Sequence, residues 1–246
     1  MARIWIKQFG LERSGTNYAK ALVEMSCPDV RVLATVLGSK HALPDLDHHV
    51  ALLDQGDVGI AITDLTPSDF PEIVTAYRDS SLAVMICVRD AVTWIDAYER
   101  HQARREKRDE VILDRDRLAA LAQQWINWIY TMTDWAERSG LRHFWVGHHQ
   151  AVRRPQSVLD QVVALGAACG EAAEVGYLRK AGDHHGSENV TGRPYRTRQY
   201  REIYAGSGQI AEADVEWLVG VIGELDVRGL AEPFMWDRKP LRRKGR

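Results

Sequence analysis

Residues 4–25 read IWIKQFGLERSGTNYAKALVEM, and the change of character inside this stretch decides the fold. The apolar start predicts a strand, and the Tyr18–Met25 end, with apolar residues three and four apart, predicts a helix. Between them lies GLERSGTN, a tight turn entering a helix, where unpaired backbone N–H groups and the positive end of the helix dipole favour an anion. Gly15 lets the backbone approach a ligand closely. Ser14, Thr16 and Asn17 add side-chain donors, and Arg13 brings a fixed charge suited to two oxygens of a phosphate or sulfate. A nucleoside triphosphatase loop would carry lysine directly after the second glycine and a hydroxyl next for magnesium. Here Thr16 and Asn17 occupy those places. The plainer reading of SGTN is a turn and helix cap.

Working outward, β-rich runs stand at RIWIKQF, VRVLATV, LAVMICV and RHFWVGH. Helical periodicity stands at NYAKALVEM, AVTWIDAYERHQARR, DRLAALAQQWINWIYTMTDWAER, PQSVLDQVVALGAACG and EADVEWLVGVIGEL. This alternation predicts an α/β fold with a mostly parallel central sheet covered by helices, and ligands gathered beyond the carboxyl ends of the strands. The 246 residues suit one domain. Residues 181–209, rich in glycine and bearing Tyr195, Tyr200 and Tyr204, read as a long lid loop.

With 27% charged and 45% hydrophobic residues and a formal net charge of -2, the chain has the composition of an ordinary globule with a substantial core. Nothing global points to nucleic acid. The tail at 238–246, RKPLRRKGR, carries six basic side chains and reads as a solvated terminus. No apolar run reaches the roughly 18 residues of a membrane span, and the N-terminus enters a strand at once, so a cytoplasmic protein is expected. Cys27, Cys87 and Cys169 stand apart in apolar surroundings and read as reduced, buried thiols. Three histidine pairs, His48 and His49, His148 and His149, His184 and His185, lack the spacing of a zinc site, so no metal is expected.

The loop ERSGTNY resembles the [KR]-S-G-T-[TN] loop of the sulfotransferases that use 3'-phosphoadenosine 5'-phosphosulfate (PAPS). The resemblance implies that Arg13, Ser14, Gly15, Thr16 and Asn17 hold the 5'-phosphosulfate, without a required magnesium ion. GSKHALP is similar to the family's Lys/His segment, which implies His41 as catalytic base and Lys40 as a neighbouring cation, with Arg13 supporting the transfer. VRDAVTWIDAYERH is similar to the 3'-phosphate motif, with Arg89 at its opening arginine. The family's serine eight residues later is replaced by Ala97, so the contact is weakened or moves to a neighbour such as Thr93. Further on, the family's acidic YE after a strand is replaced by GHH, and RKAG at 179–182 is similar to the late RKG loop, with Ala181 at its glycine.

Taken without the resemblance, His41 has a surface or structural role as its plain alternative, and Arg89 an ion pair with Asp90 or Glu99. The resemblance implies sulfuryl transfer to a hydroxyl or amine of a small molecule or glycan. The alternatives are a non-catalytic nucleotide- or anion-binding module and a phosphotransferase, the latter disfavoured by the missing lysine. Neither the acceptor nor the oligomeric state is written in the sequence.

Overall fold

The computed structural model describes residues 3–56, 65–66, 68–108, 110–111, 113–173 and 210–235. The lid loop 181–209, the RKAG segment, the pair His184 and His185, and the basic tail 238–246 lie outside the described residues.

Four strands, β1 (Ile4–Gly10), β2 (Val30–Leu33), β3 (Ala83–Val88) and β4 (Arg142–Gly147), form one sheet in the order β2-β1-β3-β4, and every pair is parallel. Parallel strands need crossovers, which cover both faces. The helices are α1 (Thr16–Ser26), α2 (Leu46–Asp54), α3 (Asp69–Arg78), α4 (Ala91–Arg105), α5 (Arg115–Ser139), α6 (His148–Arg153), α7 (Pro155–Val163) and α8 (Glu212–Leu225). A short 3-10 turn follows at Glu232–Phe234.

The period-two alternation of the strands divides the core in two. Ile6, Val32, Met85 and Val146 pack with Leu22 and Val23 of α1 and Val158, Leu159 and Val162 of α7 on one face. Trp5, Phe9, Val84 and Ile86 pack with Ile73, Trp94, Ile95, Trp125, Ile129 and Leu218 on the other, under α3, α4, α5 and α8. Asp90 starts α4 by accepting the Thr93 N–H at 3.0 Å, and Asp114 starts α5 by accepting that of Arg117 at 2.8 Å.

Three expectations change. First, β2 stops at Leu33 instead of running on to Val36. The buried ammonium of Lys7 accounts for this, donating to the carbonyls of Ala34 (3.3 Å), Val36 (2.9 Å) and Gly38 (2.6 Å) and so folding that segment over the strand end. Second, the helix at 155–170 ends at Val163, because the chain turns there and Gly166 takes φ 99°. Third, the cysteines are not all reduced: Cys27 and Cys169 form a disulfide, and Cys87 is the free, buried one. The cause is topological. The crossover that returns α7 beside α1 lays the following loop on the end of α1, where Gly170 donates to the Ser26 carbonyl at 2.9 Å and Ala173 to its hydroxyl at 2.9 Å.

Among the described residues no helix is long and apolar enough to cross a membrane.

Candidate functional site

The β1–α1 turn sits at the carboxyl end of the sheet. Two residues in left-handed conformation curl it, Arg13 at φ 68° and Gly15 at φ 88°. A left-handed arginine costs about 1–2 kcal/mol, and the turn holds it by the Ser14 N–H to Leu11 carbonyl bond at 3.1 Å and by the Trp94 indole, which donates to the Glu12 carbonyl at 2.8 Å. Gly15 is the N-cap of α1, without a side-chain cap bond, so the turn-and-cap reading of SGTN holds as geometry. The Ser14 hydroxyl is wholly buried in this turn, 1% of the residue being exposed, and has no hydrogen-bond partner. Buried hydroxyls without partners are uncommon, and the turn carries one beside a helix N-terminus.

Gly15 is required sterically as well. A Cβ there would stand 2.2 Å from Cδ2 of His148, whose ring, only 6% exposed as a residue, lies on the turn. Gly15→Ala therefore meets both a left-handed φ and a clash. We expect it to cost at least about 1–2 kcal/mol and to lower the unfolding temperature by several degrees. An unchanged unfolding temperature would mean that His148 does not rest on Gly15.

The expected base comes to the same place. The segment after β2 is sewn to the end of β1 at one residue: the Gly10 N–H donates to the Lys40 carbonyl at 2.8 Å, and the Gly10 carbonyl is 2.6 Å from Nδ1 of His41. A carbonyl only accepts, so Nδ1 carries the proton and Nε2 is the basic nitrogen. Burial lowers the His41 pKa below its usual value, and Lys40 lowers it further, against the Gly10 bond and Glu12, which raise it. Lys40 donates to the Asn17 side chain, bridging the two segments. Burial brings the Lys40 pKa down to about 8. Lys7, underneath, is brought down to about 7 by burial and then by Lys40. Its three carbonyl acceptors favour the charged form, since a neutral amine has only two N–H bonds to give.

At the next strand end Arg89 donates through Nε to the Thr93 hydroxyl at 3.0 Å, and Trp125 anchors the Arg89 carbonyl at 2.9 Å. Of the two plain ion-pair partners for Arg89, Asp90 feels its charge, which acts against burial to lower the carboxyl pKa, while the Glu99 carboxylate takes Arg108 (2.6 Å) and Arg117 (2.8 Å). Thr93 gives its one hydroxyl proton to the buried Asp90 carboxylate, and Ala97 is 8% exposed. Neither Thr93 nor Ala97 offers a hydroxyl donor to a phosphate in this arrangement. Burial raises the Asp90 pKa despite the opposing bonds from Thr93.

Beside Asp90 opens a cavity of about 590 Å³, lined by Val88, Trp145, Gly147, His149, Leu230 and Phe234 among others. Trp145 and Phe234 form its aromatic wall, with ring centroids 5.0 Å apart. Gln150 and Ser157, bonded to each other at 3.1 Å, lie at its polar end. A cavity of this size and mixed lining accommodates a ring-bearing small molecule.

The expected residues thus fall in two groups, Arg13 to Asn17 with Lys40 and His41 around the end of β1, and Arg89 with Thr93 at the end of β3. His148 joins the first group, its ring on Gly15 and edge-on to Tyr18 with centroids 6.2 Å apart. Comparison with protein-family models, curated proteins and solved structures finds no match. One contributor, Lys7, gives little sign of itself in the sequence, and another, His148, shows there only as a pair with His149 after a strand, placed to line a pocket. Among the described residues no three His, Cys, Asp or Glu side chains gather as a metal would need.

Proposed function

We propose that this chain is a sulfotransferase-like enzyme that moves a sulfuryl group from PAPS to a hydroxyl or amine of a small molecule or glycan. One observation carries the reading: a curled, arginine-bearing turn at a helix N-terminus and a histidine with its Nε2 left basic are joined through Gly10 at a single strand end. The residues present fit the donor's anionic end, because the turn that bears Arg13 holds a buried hydroxyl without a partner, and Lys40 is bonded to Asn17 in the first turn of α1.

When bound, the donor supplies an activated sulfuryl group whose bond to the 5'-phosphate breaks as the acceptor's bond to sulfur forms. The chain's residues do the remainder. Arg13 and the first N–H groups of α1 take the charge that grows on the leaving phosphate. His41 Nε2 accepts the acceptor's proton, and its bond to Gly10 stabilises the resulting imidazolium. Lys40, held by Asn17, sets the distance between turn and base. We assign the cavity beside Asp90 and His149 to the ring end of the donor, with Arg89 on the path towards it. A cytoplasmic site belongs to the same proposal. The Cys27–Cys169 bond bears against it, because reducing compartments keep such thiols open.

Ala97 and the commitment of Thr93 to Asp90 favour a second reading, a non-catalytic anion-binding module with a weak grip on the 3'-phosphate. Thermal unfolding with adenosine 3',5'-bisphosphate, PAPS, or ATP with magnesium tests the first step. Bisphosphate or PAPS at a hundred times its dissociation constant should add about 2.7 kcal/mol, or roughly 5–10 °C for a chain of this length. A response to ATP with magnesium alone would move the assignment to phosphoryl chemistry, and no response to any ligand would remove the nucleotide altogether.

A further inference from the structure

Lys7 stands in the middle of β1, paired with Leu33 of β2 on one side and Val84 of β3 on the other, where a parallel sheet has no ordinary place for a charge. Its side chain is fully buried, and Nζ stands 5.0 Å from the centroid of the Phe9 ring on the same face of the strand. The ammonium donates to the carbonyls of Ala34, Val36 and Gly38, three acceptors spaced two residues apart that converge on one donor. Three N–H bonds meet three acceptors. Such convergence curls the backbone around the charge, and the curl shows in Leu37 and Gly38, which take φ 61° and 92° in succession. A left-handed conformation is unfavourable for a bulky side chain, and the buried Leu37 holds it between the two carbonyls that Lys7 grips most closely.

From that curl the chain runs to the candidate base with little slack. The Lys40 carbonyl, two residues after Gly38, accepts the Gly10 N–H at 2.8 Å, and Nδ1 of His41 is 2.6 Å from the Gly10 carbonyl. Between them the His41 N–H meets the Ser39 hydroxyl at 3.3 Å, and the Ala42 N–H meets the Ser39 carbonyl at 3.1 Å. One strand therefore holds the segment twice, by an ammonium where it enters and by the Gly10 peptide groups where it leaves.

We infer that Lys7 is the positioning residue of His41: its ammonium fixes the curl at 34–38, and with it the direction from which the imidazole reaches the Gly10 carbonyl, so that Nδ1 carries the proton and Nε2 is left basic. The inference rests on the role of His41 in the proposed function and deepens it. Lys7 acts through three backbone carbonyls. Without the ammonium those carbonyls lose their donor, nothing sustains the left-handed pair, and the ring is free to take its other tautomer. A displacement of about 1 Å at a reacting group costs about 10²-fold in rate.

Lys7→Met tests this, because its unbranched apolar stem fills much of the same space and removes the donors. Nitrogen-15 spectra of the neutral His41 ring should show the Nδ1–H tautomer in the parent and a mixture with Nε2–H in the variant. kcat should fall about 10²-fold with the dissociation constant for adenosine 3',5'-bisphosphate unchanged, since the β1–α1 turn keeps its own bonds from Ser14 and Trp94. A lysine that merely stabilises the fold would lower the unfolding temperature and leave tautomer and kcat as they were, which would overturn the inference. Should the variant not fold, the parent decides: couplings across the hydrogen bonds from the Lys7 ammonium to the Val36 and Gly38 carbonyl carbons should be present, and their absence, or an Nε2–H ring at His41, would overturn it. A parent that transfers no sulfuryl group would sink the proposed function and leave the tautomer measurement standing.

Discussion

His41→Ala should turn over about 10² to 10⁴ times more slowly than the parent and bind adenosine 3',5'-bisphosphate with little change. The separation follows from where the residue is held. The ring is fixed by Gly10 at the end of β1, while under the proposed function the anion would be held by the turn and the first residues of α1. Loss of the ring removes a proton acceptor and leaves the turn in place, because the Gly10 N–H still meets the Lys40 carbonyl. The pH profile provides a second readout. His41 acts as a base when neutral, and burial lowers its pKa below 6.5, so kcat should climb with pH below that value and be level at neutrality. The variant should lose this acidic limb. Turnover surviving at parental levels would sink His41 as the base. A parent protein that binds the bisphosphate but transfers nothing to a panel of hydroxyl and amine acceptors would support the non-catalytic module.

Reduction of the Cys27–Cys169 bond should have the largest effect on stability. The bond closes a loop across a sequence separation of 142 residues, and restricting so long a loop in the unfolded chain is worth up to about 5 kcal/mol. In a chain of this size that is a fall of roughly 10–20 °C in unfolding temperature. The Cys27→Ser and Cys169→Ser variants should each reproduce the fall without reductant, and adding reductant to them should change nothing further. Thiol counting settles the bond directly. Of the three cysteines, one should react in denaturant alone and all three after reduction. Three reactive thiols before reduction would restore the expectation of reduced cysteines and ease the cytoplasmic assignment.

What the sequence disclosed was what depends on neighbours along the chain. α4 spans 91–105 and α5 spans 115–139, as their three- and four-residue spacing predicts, and the parallel sheet follows from the alternation of runs. α2 and α3, at 9 and 10 residues, were not expected from the sequence, whereas α7, at 9, was expected within a longer periodic run. The candidate site was legible only as far as its local motifs. SGTN announced a turn, and GSKHALP announced a histidine after a strand. Their meeting through Gly10 depends on strand order, which periodicity does not encode. The placement of His148 on Gly15 and the pairing of Cys27 with Cys169 depend on the same folded topology, across even longer stretches of chain. Ala97 was read as a lost hydroxyl, but the capture of Thr93 by Asp90 required coordinates.

The double tie at Gly10 makes that residue the pivot of a pair of calipers. One arm is the turn that leads into α1, and the other is the segment that leads back from β2 to His41. Changing the length of the first arm between Leu11 and Gly15 would break the hold of the Trp94 indole on the Glu12 carbonyl and shift Gly15 under His148. Changing the second between Ala34 and Ser39 would strain Lys7 and its three carbonyls before it moved the ring. Both arms are thus clamped, and the Lys40–Asn17 bond ties one to the other, so the gap between them is a fixed width that no change on one side alone would reset.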